Sequence, residues 1–180
     1  MSIRRRYLSL VSSIAVVAAI VYYIVEGNLS PVSGVGKEEA VVISVVDGDT
    51  IRVMYQGSIE SVRFIGIDAP EHDQGEWGER ATNRLKSLVP PGSVVILEFD
   101  VQRRDKYNRL LGYVFTRDGL FVNEIMLREG LAMLYTFPPN VRYVDRLRAA
   151  QNHAREAGTG IWGKDGLTMT PQEYRRSKRR

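Results

Sequence analysis

With 180 residues, 44% of them hydrophobic, the chain has enough apolar material for one globular core plus tails. It has no cysteine, which excludes disulfides and thiolate metal sites, and its two histidines, His72 and His153, are too few and too far apart for a nitrogen-rich zinc site. The formal charge of +4 comes from the ends: residues 37–165 hold 17 basic and 19 acidic side chains, so any grip on a polyanion must come from local placement of charge.

Arg4, Arg5 and Arg6 precede residues 7–25, a run of 19 residues without a charge. As a helix that run is about 28 Å long, close to the hydrocarbon thickness of a bilayer. It is apolar on every face and lacks a good small-x-small cleavage site. These features predict a transmembrane signal-anchor, with residues 1–6 cytoplasmic and the remainder outside the cytoplasm. Secretion after signal cleavage is the rival reading. Residues 26–39, with Asn, Ser, Pro and three Gly, read as a linker.

A globular domain is expected over 40–166. Residues 40–46 are nearly continuously apolar and β-branched, as in a strand covered on both faces. Asp47-Gly48 signals a tight turn. Alternation of Ile51, Val53 and Tyr55 with Thr50, Arg52 and Met54 gives a second strand, and residues 59–67 a third. Trp77, Ala81, Leu85 and Leu88 recur at helical spacing before Pro90-Pro91-Gly92 ends the run. Residues 94–99 and 110–115 supply two more strands. Val122, Ile125 and Met126 open a short helix that Gly130 can terminate. Val144, Leu147, Ala150, Ala154 and Ala157 mark a last helix ended by Gly158, and Ile161-Trp162 an apolar clamp. Residues 167–180 are polar and basic, and read as a disordered tail. The fold class is mainly β with α (α+β): a five-stranded oligonucleotide-binding (OB-fold) β-barrel with about three packed helices.

Three clusters carry chemistry. VVDGDTIRV (45–53) and RFIGIDAPE (63–71) put carboxylates and an arginine on neighbouring strand ends. Asp49 and Asp68 supply hard oxygens that suit Ca²⁺ or Mg²⁺, although Asp and Gly in the first cluster also serve simple turn chemistry. Arg63 sits inside an apolar strand, where it must meet a ligand or pair with Glu60, Glu71 or Asp68. Glu71 follows the rigid Ala69-Pro70; alone it reads as a solvated surface residue. In DKYNRLLGYVF (105–115), Lys106, Tyr107 and Arg109 crowd a basic turn fit for a phosphate and a stacked base, with Arg103 and Arg104 just upstream. Tyr135 and Phe137, in the loop YTFPPN, can line the same groove; for Phe137 packing under the last helix is the favoured alternative.

These clusters, in this order and with the intervening helix, resemble the staphylococcal nuclease (thermonuclease) family, as do VNEIMLREGLAMLY and AREAGTGIWG further on. The resemblance covers roughly residues 40–163. It implies the OB-fold barrel and Ca²⁺-dependent hydrolysis of DNA and RNA, with the bond broken on the 5′-oxygen side to leave 3′-phosphates. It assigns Asp49, Asp68 and the Ala69 carbonyl to the metal, and Arg63, Glu71 and Arg109 to catalysis. Lys106 and Tyr107 match its phosphate-holding residues. Ala69 replaces a common threonine, and Asn108 a frequent glycine whose left-handed backbone Asn tolerates. A monomer needing no protein partner beyond its nucleic acid substrate and its membrane anchor is expected. The alternative is a non-catalytic nucleic-acid-binding module on the same barrel, which would have no use for Asp49, Asp68 and Glu71 beside a phosphate.

Overall fold

Alternating burial along the strands sets which face of each builds the core. In β2 (Thr50–Tyr55) Ile51, Val53 and Tyr55 point inward while Arg52 and Met54 point out. The same period-2 pattern in β3 (Ser58–Phe64) buries Val62 and Phe64 and turns Arg63 to the other side. The computed structural model describes residues 36–178. The expected anchor at 7–25 and most of the expected linker lie outside these residues. Among the described residues no helix is long and apolar enough to cross a membrane.

β1 (Lys37–Asp47), β2, β3, β5 (Val94–Glu98) and β6 (Leu110–Thr116) close into a barrel in the order β1-β2-β3-β6-β5. All pairings are antiparallel except β3 with β6, which run parallel with Arg63 opposite Leu111. A second sheet joins β4 (Gly66–Asp68) to β7 (Met133–Tyr135). Among the described residues four α-helices pack outside: α1 (Gly75–Leu88), α2 (Val122–Arg128), α3 (Val144–Glu156) and α4 (Pro171–Ser177), with a 3₁₀ turn at Gly160–Trp162. Ala81 and Leu85 of α1, Met126 and Leu127 of α2, and Leu147 of α3 complete one continuous core with the barrel.

Four expectations are corrected. The third strand is not continuous to residue 67. Gly66 takes a positive φ of 81°, which glycine alone adopts without strain, and redirects the chain from barrel to second sheet. β1 is not covered on both faces: Ala40 and Val42 are buried, but Val41, Ile43 and Val46 are exposed. It also starts inside the expected linker, because Lys37, Glu38 and Glu39 pair with β5. Finally, the tail is not wholly disordered, since α4 adds a fourth helix. Thr170 caps it in a reciprocal box with Glu173, and Pro171 occupies its first turn.

Candidate active site

The turn between β1 and β2 is built for close approach. A Cβ on Gly48 would lie 2.7 Å from the Cβ atoms of both Ala69 and Ala81, so only glycine lets the turn lie against α1 and the segment after β4. That contact buries Asp49, whose carboxylate is held from three sides. Oδ2 accepts from the Ala69 N–H at 2.7 Å, Oδ1 accepts from the Thr50 hydroxyl at 3.0 Å, and Oδ1 also pairs with Nη1 of Arg63. The second guanidinium nitrogen of Arg63 donates to Asp68 Oδ1 at 2.7 Å and to the Ile67 carbonyl at 3.4 Å. Asp49 and Asp68 are only 1% and 3% exposed, and both aim at one point. Two buried carboxylates converging in this way demand positive charge between them.

Burial pushes the Arg63 guanidinium downward from its ordinary value, against the opposing pull of Asp68 and Asp47. Burial also raises the Asp47 carboxyl, against Arg63, Thr50 and Arg109. Asp47 itself accepts the Asp49 N–H at 3.1 Å and so shapes the turn.

Beside Arg63 opens a cleft of about 490 Å³, lined among others by Lys106, Tyr107, Arg109, Tyr135 and Phe137. The parallel ladder sets this neighbourhood, because Val62 and Arg63 face Leu110 and Leu111, immediately after Arg109. Asn108 has φ +65°, the left-handed angle expected of it, and Asp105 organises the turn around it. One Asp105 oxygen accepts the N–H groups of Tyr107 and Arg109, both at 2.9 Å. The other accepts Arg109 Nε at 2.8 Å, fixing the guanidinium. The cations of Lys106 and Arg109 lie 5.0 and 5.6 Å from the centre of the Tyr107 ring.

Tyr135 reaches the cleft because β7 pairs with β4 directly opposite Gly66. Phe137 does so as well, at 66% exposure, which favours the groove over packing under the last helix. Its loop is held by Asn140, whose amide exchanges two 2.8 Å hydrogen bonds with the Gln102 backbone. Arg103 and Arg104 do not serve the cleft: Arg103 pairs with Glu38, and Arg104 forks onto Glu60.

Glu71 stands on the loop entering α1. Its carbonyl accepts the Gln74 N–H at 2.8 Å and presses on Gly78, where a Cβ would come within 1.8 Å of that oxygen. Its carboxylate accepts from Arg175 of α4 at 2.6 Å, and Arg175 also donates to Asp68 Oδ2 at 2.8 Å. The structure therefore joins Asp49, Arg63, Asp68 and Glu71 through two guanidiniums, with Lys106, Tyr107, Arg109 and Tyr135 across the cleft from the same Arg63.

Sequence reasoning missed Asp105, Gly78 and Arg175. An Asp four residues before Arg109 at a turn was a usable signal for the first. Thr170-Pro171-x-Glu173, a helix start, was one for the last.

Comparison with known proteins gives the lineage. The model of the family described as staphylococcal nuclease homologue matches residues 61–164, more than half of the chain. The chain belongs to the staphylococcal nuclease family. Within that family it is 44% identical over 128 residues to the SPbeta prophage-derived endonuclease YokF of Bacillus subtilis, covering 67% of this chain and 43% of the relative. It is 43% identical over 128 residues to endonuclease YncB of the same organism, covering 67% of this chain and 60% of that one. An uncharacterized endonuclease of Escherichia coli O157:H7 shares 39% identity over 137 residues, covering 76% and 84%. The chain thus spans about half the length of the two Bacillus relatives.

As a member of this nuclease family the chain can be tested for a cation site. Asp49 and Asp68 fit one: both are buried, both offer oxygen, and a positive group already lies between them. Among the described residues no three or more His, Cys, Asp or Glu side chains gather closely enough to hold an ion by themselves. A hard cation on the aspartate pair would complete its shell with backbone carbonyl, as at Ala69, and water.

Proposed function

We propose that the protein is a Ca²⁺-dependent nuclease that hydrolyses phosphodiester bonds of DNA and RNA, cutting within the chain and leaving 3′-phosphate ends. One observation carries this reading: Arg63 of β3 and Arg109 of the turn before β6, 46 residues apart in sequence, line one cleft while Asp49 and Asp68 both reach Arg63. The relatives described above, each named an endonuclease, support it.

The chemistry follows from where charge develops. Water attacking a phosphodiester loads negative charge onto the equatorial oxygens. Arg63 and Arg109 present forked donors there, held in advance by Asp68 and Asp105, so little reorganisation is needed as the reaction proceeds. Glu71 aligns the attacking water and takes its proton. Lys106 and the Tyr107 hydroxyl hold the substrate phosphate, and Tyr135 with Phe137 offers rings to a nucleotide base. A Ca²⁺ ion bound to Asp49, Asp68 and the Ala69 carbonyl would add positive charge beside the scissile phosphate. The uncharged run at 7–25 after three arginines supports a membrane anchor, with the nuclease domain outside the cytoplasm.

The test is digestion of single-stranded DNA and RNA by the protein with Ca²⁺ or with a chelator, followed by labelling of product ends. Cleavage only with Ca²⁺, yielding 3′-phosphates, is expected. Retention of nucleic acid without cleavage would instead make the barrel a binding module.

A further inference from the structure

Asp68 and Glu71 are already occupied. Arg175 places Nη2 2.8 Å from Asp68 Oδ2 and Nη1 2.6 Å from Glu71 Oε1. Arg63 takes the other Asp68 oxygen, so both are engaged by guanidiniums from different elements. Arg175 arrives there on a built support rather than by a chance reach of a long side chain. The capping box of Thr170 and Glu173 starts α4, and three contacts then fasten residues 165–178 to the loop and first turn around Glu71. The Tyr174 hydroxyl donates to the Asp73 carbonyl at 2.7 Å, Gln74 Nε2 donates to the Met169 carbonyl at 2.7 Å, and Trp77 Nε1 donates to the Asp165 carbonyl at 3.1 Å. Lys178 pairs with Asp73 as well.

A guanidinium on Asp68 and a divalent cation on Asp68 compete for the same oxygens. A guanidinium on Glu71 also holds the lone pairs that would otherwise take a proton from water. The side chains of Arg175 and Glu71 are 33% and 32% exposed, so their contact lies at the surface and can open without unfolding the barrel.

We propose that the segment 165–178 is an autoinhibitory latch, in which Arg175 stands in for the cation on Asp68 and silences Glu71 until a divalent ion displaces it. The proposal rests on the nuclease reading of the site. It makes the resting protein closed, with apparent cation affinity reduced by the fraction of molecules in which the latch is open.

The test is calorimetric titration of the full chain with Ca²⁺ alone, without substrate. Arg175→Ala is expected to bind Ca²⁺ about tenfold more tightly than the wild type, the effect of a latch open in about one molecule in ten. Tyr174→Phe combined with Lys178→Ala loosens the docking yet keeps Arg175, and is expected to tighten binding in the same direction. Arg176→Ala removes an equal charge from the same helix without touching the acids, and is expected to change affinity by less than about twofold. Equal affinity in wild type and Arg175→Ala overturns the latch and leaves the nuclease reading intact. Equal tightening by Arg176→Ala also overturns it, since the effect would then be a general field. If no protein in the series binds Ca²⁺, the cation assignment of Asp49 and Asp68 fails, and the latch with it.

Discussion

Arg63 and Asp68 stand five residues apart on two different sheets, yet Nη2 of one lies 2.7 Å from Oδ1 of the other. The turn of the chain at Gly66 makes this possible, because it sends Asp68 back across the end of β3. Arg63 consequently has one nitrogen for Asp68 and one for Asp49. Lysine cannot reproduce that fork, having one compact ammonium. Arg63→Lys is expected to keep the fold, since a positive charge still faces the buried acids, and to lose at least ~10²-fold in kcat. Thermal unfolding and single-turnover cleavage of a DNA oligonucleotide check the two halves. A folded variant cutting at the normal rate would remove Arg63 from the chemistry.

Gly78 lies within α1, where alanine would ordinarily help by about 1 kcal/mol. Here the sign reverses, because the added methyl meets the Glu71 carbonyl at 1.8 Å. Gly78→Ala is expected to cost about 1–3 kcal/mol of stability from overpacking and to displace Glu71. The kcat should fall while KM changes little, since the substrate-holding residues lie elsewhere. Urea midpoints together with steady-state kinetics read both effects. A variant more stable than wild type would show that the loop yields freely.

Asp105 touches no substrate in the proposed arrangement; it positions Arg109. Asp105→Asn keeps one acceptor oxygen but sets an amide N–H₂ or a weaker acceptor against Arg109 Nε. Misplacing the guanidinium by about 1 Å is expected to cost up to ~10²-fold in kcat. A positioning role predicts that Asp105→Glu restores part of the loss. Full activity in Asp105→Asn would show that Arg109 holds its place without the carboxylate.

Tyr55 donates its hydroxyl to Glu38 and accepts from Arg103 at 2.9 Å. Burial, reinforced by the Glu38 carboxylate, pushes its phenol up from 10.0 to about 12. The folded value exceeds the unfolded one, so the contribution to stability is complete below pH 10 and is lost as pH rises through about 12. Tyr55→Phe is expected to lower stability at neutral pH by about 1 kcal/mol and to flatten the alkaline limb of the stability curve. Denaturant midpoints of both proteins from pH 7 upward supply the check. Parallel curves across the alkaline range would contradict the linkage.

Much of the candidate site could be read from the linear chain because its parts sit next to turns and strand ends that announce themselves. Asp49 follows Asp47-Gly48, Arg63 interrupts an apolar strand, and Arg109 closes a basic turn. The alternation in β2 likewise separates the buried Ile51, Val53 and Tyr55 from the exposed Arg52 and Met54. What escaped depends on contacts distant in sequence. Gly78 looks like any helical glycine until the Glu71 carbonyl lies on it, and Val41 and Ile43 look like core until their outward direction is known. α4 was obscured for a different reason: its arginines suggest solvation, but two acids 104 and 107 residues earlier give Arg175 somewhere to go.

The parallel ladder between β3 and β6 carries one more consequence. Val62 and Phe64 face the core while Arg63 faces away, so slipping β3 by one residue would drive a guanidinium into the barrel and expel two large apolar side chains. A chain misaligned in this way would be poorly stable and would also lack the Arg63–Arg109 pair. Core and candidate site are therefore tied to one strand alignment: a slip that spoils the packing of β3 also takes Arg63 away from the cleft.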